Sequence, residues 1–313
     1  MNHLTTLREL PATDTCAVII NCGTKWFTTL ALASTIANTR YPVVIIDCES
    51  GDGSEEHFLE LSRRYRWDVS WLRWPLRPHW QALDQVFLEI AAARVLLVDS
   101  DVELRTSSMP VEMQAALDQD PSAYGSGLLH GARWMGRESG LLDNVGFYAP
   151  RMWIPLVLLR TSHIRAALHE GGSFEPGRIY QECGVATRWA RLVAARHRII
   201  GLRRLELPRR PSATLTGAPR SGEAIAAFVE YDTGARLHDR LTRRGLTFKE
   251  LPGTYWQAVH HYHGVTRATI ASWPRRISRR LGIISRHTET PQQDAVEHAK
   301  SRLAAHYAID TAA

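Results

Sequence analysis

An unbroken aliphatic run, Val95-Leu-Leu-Val98, stops on Asp99-Ser-Asp101, and that change constrains the chain more than any other stretch. Consecutive aliphatics, half of them β-branched, suit a strand buried on both faces. Residues two apart in an extended chain point the same way, so both carboxyl groups face one small volume at the carboxyl edge of a sheet. Open α/β sheets bind ligands along that edge. Two carboxylates converging there repel each other unless a cation or a donor-rich ligand lies between them. A hard divalent ion, Mg²⁺ or Mn²⁺, suits oxygen ligands, and its usual companion is a diphosphate. The plainer alternative is a strand that ends in an acidic turn, because Asp-Ser-Asp is good turn chemistry.

The residues before this run alternate between strand and helix patterns. Residues 1–14 are polar and read as a loose arm, and Cys16 to Ile20 reads as a buried strand ending at Asn21-Cys-Gly-Thr24. Helical spacing follows from Lys25 to Asn38, then a strand from Tyr41 to Ile46 that runs into Asp47-Cys-Glu-Ser-Gly-Asp-Gly-Ser54, a loop with three carboxylates. A helix over Glu55 to Arg64, a strand over Trp67 to Trp74 and a helix over His79 to Ala92 complete the alternation. Short connectors between such elements predict a mainly parallel sheet with helices on both faces.

Ile45-Ile-Asp-Cys-Glu-Ser-Gly-Asp-Gly-Ser54, followed at a later strand end by Asp99-Ser-Asp101, resembles the nucleotide-binding half of a GT-A-fold glycosyltransferase. The likeness is closest to the large family 2 of sugar transferases, whose second strand typically ends Val-Val-Asp-Asp-Gly-Ser-x-Asp-Gly-Ser. Cys48 and Glu49 depart from it, standing where the family has its second Asp and its Gly, and Ala82-Leu-Asp84 stands for the usual Ala-Arg-Asn. The resemblance implies an α/β, GT-A-like three-layer α/β/α fold with a mainly parallel central sheet and a C-terminal helical extension. The implied division is a nucleotide-sugar-binding half over 14–120, an acceptor-binding half over 121–222, and the extension over 223–313.

A second match lies at Tyr180-Gln-Glu-Cys-Gly-Val-Ala-Thr-Arg-Trp-Ala-Arg191, where Val185, Trp189, Leu192 and Val193 recur as one face of a helix. Glu182 falls on the inward side, and a carboxylate aimed inward needs a cleft or a partner. In the family an acceptor-side helix begins Glu-Asp-x-x-Leu-x-x-Arg. Glu182 falls on its Asp, the catalytic base, with Val185 on the Leu, Arg188 on the Arg and Gln181 on the Glu. Related transferases also use a late His as a third metal ligand. Tyr255 to Gly264 gathers His260, His261 and His263, and His263, followed by Gly264 and Thr266, is the candidate.

Taken together the resemblance implies an inverting, metal-dependent enzyme that uses a nucleoside diphosphate sugar. Asp101 and His263 would bind Mn²⁺ or Mg²⁺, Asp99 would meet the ribose or a metal-bound water, Asn21 and Asp47 would hold the base, and Glu182 would deprotonate the acceptor. That acceptor would be a glycan, a lipid-linked glycan or a small molecule. Beyond these motifs, a long loop from Gly131 to Trp153 is the expected place for acceptor contacts. The Arg-rich stretch 203–222 reads as a loop, Glu223 to Arg243 as a helix, and 274–285 as a basic amphipathic helix suited to peripheral contact with an anionic membrane surface.

Composition bounds the alternatives. The four cysteines include no Cys-x-x-Cys pair, and no apolar run reaches membrane-spanning length, so a reduced, cytoplasmic protein is expected. The net charge of +6 predicts attraction to anionic partners. Nucleic acid is not expected among them, because the basic residues sit in late segments without an interleaved aromatic platform. A nucleotidyltransferase would also place carboxylates and a metal at an α/β sheet edge, but Asn21-Cys-Gly-Thr-Lys25 is a poor version of the Gly-rich, Arg-containing loop such enzymes carry. A non-catalytic protein binding anionic ligands or nucleic acid through its arginines is the alternative from another class.

Overall fold

A computed structural model describes residues 1–131, 133–134, 144–181, 226–262 and 290–311. In chain order the first elements are β1 (Asn2–Leu4), β2 (Thr15–Asn21), α1 (Lys25–Asn38), β3 (Val43–Cys48), α2 (Ser54–Tyr65), β4 (Val69–Trp74), α3 (His79–Glu89) and β5 (Arg94–Asp99). There follow β6 (Val102–Leu104), α4 (Ser108–Gln119), β7 (Ala123–His130), β8 (Arg133–Trp134), β9 (Asn144–Tyr148), β10 (Arg151–Arg160), α5 (Thr161–His169) and β11 (Gly177–Gln181). The last are β12 (Ala226–Tyr231), α6 (Ala235–Arg243), β13 (Thr247–Glu250), β14 (Val259–His261) and α7 (Thr290–Tyr307). Contacts divide the chain into two compact units.

The first unit comprises Met1–Leu128, Trp153–Ala166 and Leu246–Ala313. Its sheet has the order β1-β4-β3-β2-β5-β10-β7-β13. The first five of these strands run parallel to their neighbours, β10 is antiparallel to β5, and β13 is parallel to β7. Every residue of β3 is buried, which is what an uninterrupted aliphatic strand covered on both faces requires. Alternation sends Ala17, Ile19, Val43, Ile45, Trp71, Leu96 and Val98 into one core with α1, α2, α4 and α7. The intervening residues Val18, Val44, Ile46, Leu72 and Leu97 are buried as well, leaving α3 and α5 for the other face. Arg165 joins those two helices by donating to the carbonyls of Phe87 and, at short range, Ile90.

Two segments of this unit differ from the expectation. The N-terminal arm is not loose: β1 adds in parallel to the edge of the sheet beside β4, and the fully buried Leu7 anchors the turn after it. Burial of one leucine contributes about 2 kcal/mol, which together with the pairing of β1 to β4 works against the chain entropy of ordering the arm. Within the C-terminal stretch expected to be a helical extension, α7 is helical, while β13 joins the central sheet and β14 pairs with β6.

The second unit comprises Leu129–Met152 and Ala167–Gly245, with a sheet of order β11-β12-β9-β8. Of the stretch 223–243, expected to be helical, the described residues from 226 onward form β12 and α6. Phe228, Val229 and Tyr231 are strand-forming residue types, and Gly234, at φ 79°, supplies the left-handed turn that separates strand from helix. The expected loop from Gly131 to Trp153 likewise contains β8 and β9 and the start of β10. The segments 203–222 and 274–285 lie outside the described residues. Among the described residues, no helix is long and apolar enough to cross a membrane.

One half-buried histidine gives the first unit an acid limb. His57 Nε2 lies 2.9 Å from Thr29 Oγ1, and its ring meets Trp26 edge-on. Burial, with Lys25 nearby, pushes its pKa down to about 4. An unfolded histidine titrates near 6.5. The stability tied to neutral His57 is therefore complete above about pH 6.5 and is lost as pH falls toward 4. After discounting for solvent exposure the loss is about 1–2 kcal/mol. Urea unfolding across that window should show His57→Gln with a flatter acid limb than the parent, and parallel curves would exclude His57 as the cause.

Candidate metal centre at the sheet edge

Strand β5 ends on Asp99, Ser100 turns the chain, and Asp101 leads into β6. Strand β14 lies antiparallel to β6 with His261 opposite Val102, and the Tyr262 amide donates to the Asp101 carbonyl at 2.9 Å. This two-stranded ribbon brings together groups distant in sequence: one ligand atom each from Asp99, Asp101 and His261 lies within 4.8 Å of the others. His261 Nε2 is 3.2 Å from Asp101 Oδ1. Asp101 is buried, and the Asp99 side chain is 25% exposed, so the cluster opens to solvent on the Asp99 side.

Burial pushes the Asp99 carboxyl upward and Asp101 adds to the effect, while His79 and His261 oppose it. Burial would lower His261, but the hydrogen bond to Asp101 and the charges of Asp101 and Asp99 outweigh it and raise the pKa. A carboxyl that burial makes costly to ionise, held beside a second aspartate and an imidazole, belongs to a donor set a divalent cation would relieve. Oxygen ligands alone would suit Mg²⁺. An added imidazole moves the preference toward a transition ion such as Mn²⁺.

His79 is a member that sequence reasoning missed. As the first residue of α3 it places Nε2 3.6 Å from Asp99 Oδ1. The available signal was its place just past β4, at the edge where β5 also ends. Of the two late histidines among the described residues, His261 meets the aspartates. His260 points to the opposite face of β14, packing edge-on against Tyr262, and His263 lies outside the described residues.

Asn21 and Asp47 stand side by side at the ends of β2 and β3. The Asn21 amide is fully buried and engaged throughout: its nitrogen reaches Asp47, Ser50 and Ser54 at 2.8–3.0 Å, and its oxygen accepts from Thr24 and Thr28. Asp47 also accepts from the Ser50 amide at 3.1 Å. The pair therefore shapes the loop 47–54 from beneath. Within that loop Glu49 has φ 51°, the left-handed region that favours glycine, at the position where the resembled family has Gly. Such strain costs about 1–2 kcal/mol and is held by the network around it. Glu49→Gly should raise thermal stability by about 1 kcal/mol, and calorimetry showing a loss of stability would mean that the Glu49 side chain itself holds the loop.

Glu182 lies outside the described residues. Gln181 and Tyr180, expected in the first turn of a helix, end strand β11.

No protein-family model matches the chain, and no curated protein does either. Among solved structures, similarity is found to a mannosyltransferase from Pyrobaculum calidifontis in complex with GDP-mannose and Mn²⁺, at TM-score 0.39 and 13% identity over 96% of this chain and 89% of that one. A 4-diphosphocytidyl-2C-methyl-D-erythritol synthase from Anaerococcus prevotii matches at TM-score 0.37 and 9% identity, over 51% of this chain and 75% of that one. Both likenesses are remote. The mainly parallel sheet with flanking helices is of the α/β class.

Proposed function

We propose that the protein is a glycosyltransferase that moves a sugar from a nucleoside diphosphate sugar to an acceptor nucleophile with inversion at the anomeric carbon. The observation that carries this reading is the convergence of Asp99, Asp101 and His261 at the carboxyl edge of a mainly parallel sheet. The ends of β3, β2 and β5 are neighbours there, so the loop 47–54 and the acidic cluster share one edge. In this reading the nucleoside lies toward the loop and the diphosphate toward the acidic cluster.

Asp101 and His261 would hold a divalent ion, Mn²⁺ in preference to Mg²⁺. Such an ion, when bound, neutralises charge on a departing diphosphate. Asp99, the more exposed carboxylate, faces the ribose or a metal-bound water. Asp47, with Asn21 supporting the loop, borders the base. Glu182 takes the acceptor proton as oxygen attacks from the face opposite the diphosphate. Holding both reactants supplies much of the acceleration. The acceptor is a glycan, a lipid-linked glycan or a small molecule.

A thermal-shift series tests the class. UDP, GDP and their sugars, each with and without Mn²⁺, should include one nucleotide that stabilises only with metal, by about 2.7 kcal/mol at a hundredfold excess over Kd. Stabilisation by nucleoside triphosphates without any response to diphosphates would turn the assignment toward nucleotidyl transfer. Binding that responds to DNA and collapses steeply with salt would end it.

A further inference from the structure

The metal-centre ribbon is too short to hold itself in place. Strands β6 and β14 have three residues each, and a two-stranded pair of that size has marginal stability on its own. What grips it is a buried carboxylate two residues beyond Asp101. Glu103 is fully buried. Its Oε1 accepts from Arg302 Nε at 3.1 Å, from the second Arg302 nitrogen at 2.5 Å and from Tyr307 Oη at 3.1 Å. Its Oε2 accepts from Arg302 Nε at 3.2 Å and from Arg105 Nε at 3.1 Å.

Arg302 and Tyr307 belong to α7, which packs on α1 through the fully buried Ala299 and Leu303. Helix α1 also ties the end of β6 directly: the Leu104 amide donates to Ser34 Oγ at 3.1 Å, and Asn38 donates to the Leu104 carbonyl at 2.9 Å. Just past the partner strand, Tyr262 Oη lies 3.1 Å from His298 Nδ1 of α7. The helix thus holds both strands of the ribbon that carries Asp101 and His261.

A buried ion pair is a poor way to add stability, because desolvation consumes most of what the attraction gives, and apolar residues of similar size do as well. Its geometric constraint has no apolar substitute: a planar guanidinium meeting both oxygens of one carboxylate permits a single register. We infer that Glu103 and Arg302 are positioning residues, a clamp by which the C-terminal helix sets the separation of Asp101 and His261 and so the affinity of the centre for a divalent cation. The clamp rests on the assignment of that centre as a metal site.

The test separates position from stability. In the triple variant Glu103→Leu/Arg302→Leu/Tyr307→Phe the buried carboxylate and its two donors on α7 are replaced by apolar groups, while Arg105, 36% exposed, keeps access to solvent, so the melting temperature should stay within about 4 °C of the parent. The Mn²⁺ Kd, measured by calorimetric titration without substrate, should rise about tenfold or more, as when groups supporting metal ligands are removed. Arg302→Lys keeps the charge, loses the planar fork, and should weaken Mn²⁺ binding severalfold, which serves if the triple variant does not fold. Arg64→Ala cuts the exposed pair with Asp310 that docks the tail on α2, and should leave the Kd unchanged. If the parent binds Mn²⁺ and both the triple variant and Arg302→Lys bind it equally well, the clamp is disproved while the metal centre stands. If the parent itself binds no Mn²⁺, the metal centre fails and the clamp with it.

Discussion

Asp101→Asn should lower turnover about a thousandfold, ~4 kcal/mol of transition-state stabilisation, and remove the Mn²⁺-dependent thermal shift expected with nucleoside diphosphates. The amide has the shape of the carboxylate but lacks the charge that draws a cation and raises His261. The fold is spared, because the ribbon contact from Tyr262 uses the Asp101 main chain. Steady-state kinetics with a saturating donor, alongside a melting curve, reads both effects. A variant that keeps more than a tenth of the parent turnover would show that Asp101 is a turn residue after all. The substitution also orders the cluster internally: Asp99→Asn should cost less metal affinity, since Asp99 sits farther toward solvent and shares its charge with His79.

Glu182→Gln should reduce kcat by about two to four orders of magnitude while the donor Kd changes little. The asymmetry is the point of the experiment. A general base acts on the acceptor, so its loss appears in turnover and not in nucleotide binding. The assignment rests on the gapless match of Glu182, Val185 and Arg188 to the acceptor-helix motif. Equal losses in kcat and donor affinity would instead make Glu182 a donor ligand, and unchanged kcat would remove it from the chemistry.

Much of the first unit could be read in the chain because its signals are local. The aliphatic runs of β2, β3 and β5 and the helical spacing over Lys25–Asn38 reflect burial patterns that each segment carries by itself. Asp99 and Asp101 were visible for the same reason: a strand that ends on two acids announces its own edge. His261 and His79 required knowledge of pairing. His260 and His261 are adjacent in sequence, and the register of β14 against β6 decides which of these two faces the aspartates. Strand β13 was invisible because Thr-Phe-Lys-Glu has little strand character, and it becomes a strand by adding to the open edge of β7. The clamp on Glu103 was equally hidden, since nothing near an isolated acid in the sequence names an arginine 199 positions away.

That separation bears on how the molecule comes into being. Asp99 and Asp101 leave the ribosome well before the polypeptide that supplies His261, and Arg302 follows later still. A nascent chain can build β1 to β5 early, domain cores tending to form as they emerge. Asp99 already has His79 beside it, whereas Asp101 waits for the strand that supplies His261 and for the helix that follows it in sequence. Such long closures slow assembly, so an ability of this cluster to bind a divalent ion should appear only once β14 has paired with β6 and the first unit has closed.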